Sequence, residues 1–314
     1  MTPKASIVIP LYNKEGTIDR AIRSVLRQTE SDIELIIVDD GSTDRSAAVA
    51  MEVRDPRIRI VQQSNRGPGV ARNHGMRLAR ADYINFLDAD DELLPEFVAT
   101  GFRVLEDNPE CALVNFSWFW GEQREDYSIT HRRKGILEGR HRVNGDLGPA
   151  QLKQQLDYMH SGAILIRKHI VAECGGYYEK NRCTYGEDSY LWIQVLLNCV
   201  AYRDPRPVMW FHSEDSELGK GRTTVHPIVP QLVEHKSYLQ KFSKSQRGLV
   251  RRIYSDYLLL AMNRSYRGRS PAIGRQALRL IPEVFQPEPR CMYNYLKACV
   301  RYIQLVYACR PGKL

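Results

Sequence analysis

Two acidic clusters stand out in the first hundred residues, Asp39-Asp40-Gly41-Ser42-Thr43-Asp44 and Asp88-Ala89-Asp90-Asp91. Carboxylates repel one another at short range, so crowding them is costly without a cation. If both clusters meet at one edge of a fold, they suit a hard divalent ion, Mg²⁺ or Mn²⁺, bound through oxygen and able to hold a diphosphate. A third pair, Glu187-Asp188, follows Tyr185-Gly186 at the start of a helical stretch. It either complements the helix dipole or places a general base at the mouth of a site. His212 ends Trp210-Phe211-His212 and becomes a metal or phosphate ligand only if the fold carries it to Asp90. Plainer readings stand beside these: Asp-Gly-Ser-Thr-Asp is also a good turn and helix cap, and Asp-x-Asp occurs on many surfaces.

Other phosphate-binding devices are missing from the sequence. There is no G-x-x-x-x-G-K-[ST] loop, and no G-x-G-x-x-G follows the first apolar run. Binding of a pyrophosphate would therefore depend on metal rather than on a glycine cradle.

The elements that must position the carboxylates follow from two alternating hydrophobic periods. Ala5–Leu11 is a near-continuous apolar run, as expected of a strand buried on both faces, and Ile33–Val38 reads as another buried strand; Arg57–Val61 is a shorter strand and Tyr83–Leu87 a fourth. Between them, Thr17–Gln28 places Ile18, Ala21, Ile22, Val25 and Leu26 at helical spacing. Ser42 or Thr43 is expected to cap a helix through Ala47, Ala48 and Ala50. Gly67-Pro68-Gly69 precedes a helical stretch to Arg80, and Pro95 suits a helix start. Strand–helix alternation predicts an α/β fold with a mostly parallel sheet covered by helices, and ligands then bind outside the carboxyl ends of the strands. Residues 121–150 read as a flexible polar excursion, Gly162–Ile166 as a strand, Ser189–Val200 as a helix and Val208–Phe211 as a late strand.

The chain has 314 residues, 43% hydrophobic and 26% charged, a globular composition. The size fits one large domain with an appendage, divided here as 1–226 and 227–314. No apolar run is long enough to span a bilayer and the N-terminus lacks a signal-peptide cleavage site, so a cytoplasmic protein is expected. Seven cysteines without a C-x-x-C pair favour reduced, packed thiols over a zinc or redox site. Charge is uneven. Residues 231–314 hold 16 Lys/Arg against 4 Asp/Glu, a net +12, whereas 1–230 hold 29 against 33, a net −4. From Pro227 onward the chain reads as helical. Met292, Leu296, Cys299, Val300, Ile303, Val306 and Tyr307 share one face of a basic amphipathic helix.

Taken in order, these segments resemble the inverting glycosyltransferases of family 2. The resemblance is carried by Ser6-Ile7-Val8-Ile9-Pro10-Leu11-Tyr12-Asn13, by Ile37-Val38-Asp39-Asp40-Gly41-Ser42-Thr43-Asp44 and by Asn65-x-Gly67 with Ala71-Arg72-Asn73-x-Gly75. Phe86-Leu87-Asp88-Ala89-Asp90-Asp91 and Gly186-Glu187-Asp188 complete it. It runs from Ser6 to about His212 and implies the nucleotide-sugar-binding, Rossmann-like GT-A fold with a C-terminal helical appendage. It further implies that Pro10 and Tyr12 line the base pocket, that Asp40 accepts from the base, and that Arg72 lies near base or diphosphate. Asp88 would bind the ribose or a metal-bound water, Asp90 would ligate Mn²⁺ or Mg²⁺ with Asp88 and His212 as further candidates, and Asp188 would be the general base with Glu187 beside it. The implied reaction moves a sugar from a nucleotide-diphosphate donor, most often UDP, to a saccharide or polyprenyl-linked acceptor in bacterial surface polysaccharide synthesis.

The helical region lies outside the resemblance. Its basic amphipathic helix either docks on an anionic membrane surface or packs on the protein itself. Rival functions fit less well. A nucleotidyltransferase would need a glycine-rich basic loop that Tyr12-Asn13-Lys14-Glu15-Gly16 does not supply. A catalytically dead scaffold would not need Asp88, Asp90 and Asp188, and nucleic-acid binding through the basic region has no motif behind it.

Overall fold

The computed structural model describes residues 2–143, 149–216, 227–267, 270–284 and 289–308. The chain divides into two compact units, Met1–Val143 with Gln154–Lys220, and Asn144–Lys153 with Gly221–Leu314. The boundary expected at 226/227 adjoins residues 217–226, outside the described residues.

The first unit is built on one ten-stranded sheet. Its strands are β1 (Ala5–Leu11), β2 (Ile33–Asp39), β3 (Ile58–Gln62), β4 (Tyr83–Phe86), β5 (Glu92–Leu93), β6 (Cys111–Trp120), β7 (Glu125–Asp126), β8 (Gly139–Arg142), β9 (Ile164–Arg167) and β10 (Val200–Phe211). Their order is β3-β2-β1-β4-β9-β6-β10-β5, with β7 on β6 and β8 on β10. The longest ladders, β1 with β2 and β6 with β10, are parallel. The antiparallel pairings are short and gather around β9, β10 and the edge strands. Helices α1 (Ile18–Leu26), α2 (Ser46–Glu52), α3 (Pro68–Leu78), α4 (Phe97–Asp107), α5 (Tyr127–Arg133), α6 (Pro149–Asp157), α7 (Lys168–Glu173) and α8 (Glu187–Asn198) connect the strands.

Sequence pattern explains the centre. Ile, Val and Leu dominate β1 and β2 on both faces and the polar Ser6 and Glu34 bond to each other, so both strands are buried along almost their whole length. Ile18, Ala21, Ile22 and Val25 of α1 lie in the same core with no exposed surface. Helix α3 comes so close to β1 that a Cβ at Gly75 would sit 2.3 Å from Val8 Cγ1. This approach fixes α3, and with it Arg72, against the central strand.

Three local expectations need correction. Residues 121–142 are not a flexible excursion: they hold β7, α5 and β8. His131, in the basic run, is buried against Trp118 and Tyr158, and its burial pushes its pKa down to about 3. The late strand begins at Val200 rather than Val208. Its first half carries Arg203, Asp204 and Pro205, with Pro207 just beyond, which hide the strand pattern, and the register with β6 breaks between Asp204 and Pro207. At α2, neither Ser42 nor Thr43 caps the helix. The Asp44 carboxylate accepts from Ser46 N at 2.9 Å, while Ser42 Oγ accepts from Asn13 N.

The second unit is helical: α9 (Pro230–Val233), α10 (His235–Gln240), α11 (Lys244–Arg267), α12 (Pro271–Val284) and α13 (Pro289–Ala308). Val250, Ile253, Tyr254, Leu258 and Met262 of α11 are buried. Gly274 of α12 lies against the Tyr302 ring of α13, where a Cβ would come within 2.3 Å of it. Glu283 receives hydrogen bonds or ion pairs from His235 and Lys236. No helix among the described residues is long and apolar enough to cross a membrane.

Candidate active site

The carboxyl ends of β1, β2 and β4 open into a cleft of about 320 Å³ in the first unit, lined by Pro10, Tyr12, Asp40, Arg72, Asp88, Asp90 and Glu187 among others. Seven of the nine residues singled out from sequence thus share one cavity. Asp188, on the first turn of α8, and His212, after β10, are not among its lining residues.

Asp40 is almost fully buried and serves the loop before α3. One oxygen accepts from Gln63 Nε2 at 2.8 Å and Arg66 N at 2.9 Å; the other accepts from Gly67 N at 2.7 Å. Gly67 has φ of 95°, a conformation only glycine adopts without strain, so the loop can turn its amide onto the carboxylate. Tyr12 stays 41% exposed at the rim, where a planar ring can stack on a ligand.

The wall opposite is ionic. The Arg72 guanidinium forks between two acids, donating from one nitrogen to Glu187 Oε1 at 2.8 Å and from the other to Asp88 Oδ1 at 2.6 Å. It lies over the Tyr177 ring, 5.1 Å from the ring centre. Withdrawal from water opposes its charge, but the two carboxylates win and raise its pKa. Withdrawal from water likewise opposes charge on Asp88, yet Arg72, helped by His160 and Lys14, holds that carboxyl below its usual range. Glu187 goes the other way. Burial and the neighbouring Asp188 outweigh Arg72 and push it up to about 7.

The remaining aspartates are crowded. Asp90 is raised by burial and by repulsion from Asp88, against the pull of Lys14 Nζ at 2.8 Å from its Oδ2. Asp91 is fully buried and raised well above its usual range by burial, Asp90 and Asp88. Its Oδ1 accepts from His212 N at 3.0 Å, while its Oδ2 has no hydrogen-bond partner. His160 Nε2 stands 3.9 Å from that oxygen, and its Nδ1 accepts from Gly162 N. Carboxylate oxygens of Asp88 and Asp91 and a ring nitrogen of His160 lie within 4.8 Å of one another. An orphaned buried carboxylate oxygen beside a mixed oxygen and imidazole set fits a divalent ion.

His212 donates its backbone N–H to Asp91, the neighbour of Asp90, but its ring is engaged with other acids. Its ring nitrogens meet Glu214 Oε1 at 2.9 Å and Glu92 Oε1 at 3.0 Å, and its ring stacks on Trp210. It forms a second acidic group with Glu214 and Asp215. Sequence reasoning missed Lys14 and His160 and, within the acidic cluster that it singled out, gave Asp91 no role of its own. Lys14 had a visible clue as a base directly after the first strand. His160 had none, because its neighbours come from a segment about seventy residues earlier.

The match to known proteins follows the same lines. Residues 6–175 fit the family model Glycosyl transferase family 2. The glycosyltransferase YibD of Escherichia coli is 37% identical over 145 residues, covering 44% of this chain and 42% of that protein. The chondroitin synthase of Escherichia coli is 45% identical over 98 residues, covering 31% of this chain and 14% of that one. The matched stretches thus span less than half of these relatives' lengths. In structure, Staphylococcus aureus TarS in complex with UDP-GlcNAc superposes with a TM-score of 0.68 at 17% identity, covering 99% of this chain and 92% of that one. The mannosyltransferase PcManGT of Pyrobaculum calidifontis, in complex with GDP-Man and Mn²⁺, gives 0.54 at 15% identity, covering 98% and 87%. A parallel βαβ core, a cleft at its carboxyl edge and a family match across more than half of its length together make this chain a member of glycosyltransferase family 2 with the GT-A fold.

Proposed function

We propose that this protein transfers a sugar, with inversion, from a UDP-sugar to a saccharide or lipid-linked saccharide acceptor in bacterial surface polysaccharide synthesis, acting from the cytoplasm. The observation that carries this reading is the Arg72 fork, which ties the strand-end Asp88 to the Glu187-Asp188 pair across one cleft. It holds Glu187, the neighbour of the proposed base Asp188, beside a wall built for charge. The complexes of TarS with UDP-GlcNAc and the likeness to a chondroitin synthase support the donor and acceptor classes.

In this reading the base stacks at Pro10 and Tyr12, with Asp40 presenting a carboxylate already fixed by three N–H groups. Lys14 and Arg72 place positive charge beside the diphosphate. Asp188 takes the proton of the acceptor hydroxyl, which is far too weak an acid to ionise alone. Glu187 shares the Arg72 guanidinium and so fixes the first turn of α8 on which Asp188 stands. Asp90 and Asp88, with Asp91 and His160 in reach, are the residues that would hold Mn²⁺ or Mg²⁺. Such an ion, when bound, neutralises charge on the leaving diphosphate.

A thermal-shift panel of UDP-GlcNAc, UDP-glucose and GDP-mannose, with and without Mn²⁺, tests this on wild type and Asp90→Ala. A ligand at a hundred times its dissociation constant stabilises the native state by about 2.7 kcal/mol. Metal-dependent stabilisation by a UDP-sugar, lost in the variant, is the expected result. Stabilisation by none of the three sends the reading to a non-catalytic scaffold. NMR of the product from an α-linked donor gives a β-glycoside; an α-product removes the inverting mechanism.

A further inference from the structure

We propose that the stripe Leu296, Val300 and Ile303 on α13 docks on an anionic lipid surface. The inference goes beyond the catalytic reading and does not rest on it. These residues stand four and seven positions apart, one above the other on a single line of the helix. They are 56%, 53% and 54% exposed. These three side chains therefore do not supply the packing of α13 within its own unit. That packing uses Ala298 and Tyr302, which are 1% and 7% exposed. Tyr302 lies against Gly274 and donates to Pro271 O at 3.4 Å. With that side already buried, the stripe is left in water, and a row of large aliphatic side chains in water marks an interaction surface.

Charge chooses the occupant. Helix α13 contains no acidic residue and carries Arg290, Lys297 and Arg301. The region 231–314 has 16 Lys/Arg against 4 Asp/Glu. Lys297 is exposed beside the stripe. Arg301 donates to Asn263 Oδ1 and sits 5.9 Å from the centre of the Tyr266 ring, itself 37% exposed. Aliphatic side chains flanked by cations and a tyrosine suit the boundary between headgroups and acyl chains. A second copy of the same cationic face would meet it with like charge, whereas an anionic leaflet attracts it. The helix is not apolar enough to span, so it lies along the surface.

Flotation of the full chain with vesicles decides the matter, using phosphatidylcholine alone and phosphatidylcholine with phosphatidylglycerol at a 7:3 ratio. Wild type should float with the anionic vesicles at low salt, less at high salt, and hardly with the neutral ones. The triple variant Leu296→Glu, Val300→Glu, Ile303→Glu should lose at least ten-fold in vesicle affinity. Its circular dichroism, melting temperature and nucleotide-sugar thermal shift should be those of wild type, because the replaced side chains are in water. Lys297→Glu should weaken binding to the anionic vesicles alone. Equal flotation of wild type and the triple variant, or none by wild type, overturns the proposal. So does a dimer in light scattering that the triple variant splits, which would assign the stripe to a second copy. A lost flotation with intact nucleotide-sugar binding leaves the catalytic reading standing.

Discussion

Asp39-Asp40 and Asp88-Ala89-Asp90-Asp91 look like the same device in sequence: aspartates at the end of a buried strand. The fold treats them as opposites. Asp39 accepts from Ser42 N and Gln62 Nε2, and Asp40 from Gln63, Arg66 and Gly67. Every one of those donors is neutral, and most are backbone amides of the surrounding loops. Asp88 and Asp90 instead meet Arg72 and Lys14, while Asp91 keeps one oxygen with no hydrogen-bond partner. Carboxylates satisfied by amides are already complete and shape a pocket. Carboxylates crowded against one another and held by cationic side chains still favour positive charge, and so can respond to a ligand. We therefore propose the second cluster, rather than both, as the group that would hold a metal, while Asp39 and Asp40 hold the loops around them.

The contrast can be broken experimentally. Asp90→Asn should lower sugar transfer by about a thousand-fold, in the range seen when a charge-stabilising contact is removed. Its ligand-free melting temperature should hold or rise, since one of two repelling carboxylates is gone. A loss below ten-fold would put Asp90 outside the chemistry. Arg72→Met leaves Asp88 and Glu187 facing each other unpaired and should cost about 3–5 kcal/mol in denaturant unfolding. Asp40→Ala strands three donors and should cost about 1–3 kcal/mol, seen as a lower urea midpoint even without ligand. If Asp40→Ala leaves stability intact, Asp40 is no loop support, and weakened nucleotide binding in that variant would leave it only the role toward the base.

The smallest effect is in pH dependence. Glu187 keeps its proton to about pH 7 in the fold, against an ordinary value of 4.5. Between those values the native state binds more protons than the unfolded chain, so its stability falls as pH rises through this window. Asp90 and Asp91 act in the same direction. Melting temperatures of Glu187→Gln across pH 4.5 to 7 should therefore show a shallower decline than wild type, with a residual slope. An unchanged slope would mean that Arg72 keeps Glu187 ionised.

Much of the catalytic unit was readable residue by residue. Runs such as Ser6-Ile7-Val8-Ile9 cannot be half-exposed, so β1, β2 and β4 and the aspartates behind them followed from pattern alone. The segment 121–142 was not readable because its order comes from partners elsewhere. Trp118 of β6 stacks on Tyr127, and β8 pairs with β10 some sixty residues later. His160 was hidden for the same reason: only the pairing of β9 between β4 and β6 brings the turn before it to Asp88 and Asp91.

Two matters divide cleanly between chain and fold. Local composition determined where the acidic clusters and the basic charge lie along the chain, because residue type and spacing fix strand ends, helix faces and the +12 of the helical region without reference to anything distant. Tertiary structure decided which carboxylates are satisfied and which are left wanting a cation, and which face of α13 remains in water. Those outcomes depend on neighbours in space: a glycine at 274 that admits Tyr302, and backbone amides that reach both oxygens of Asp40 but only one of Asp91.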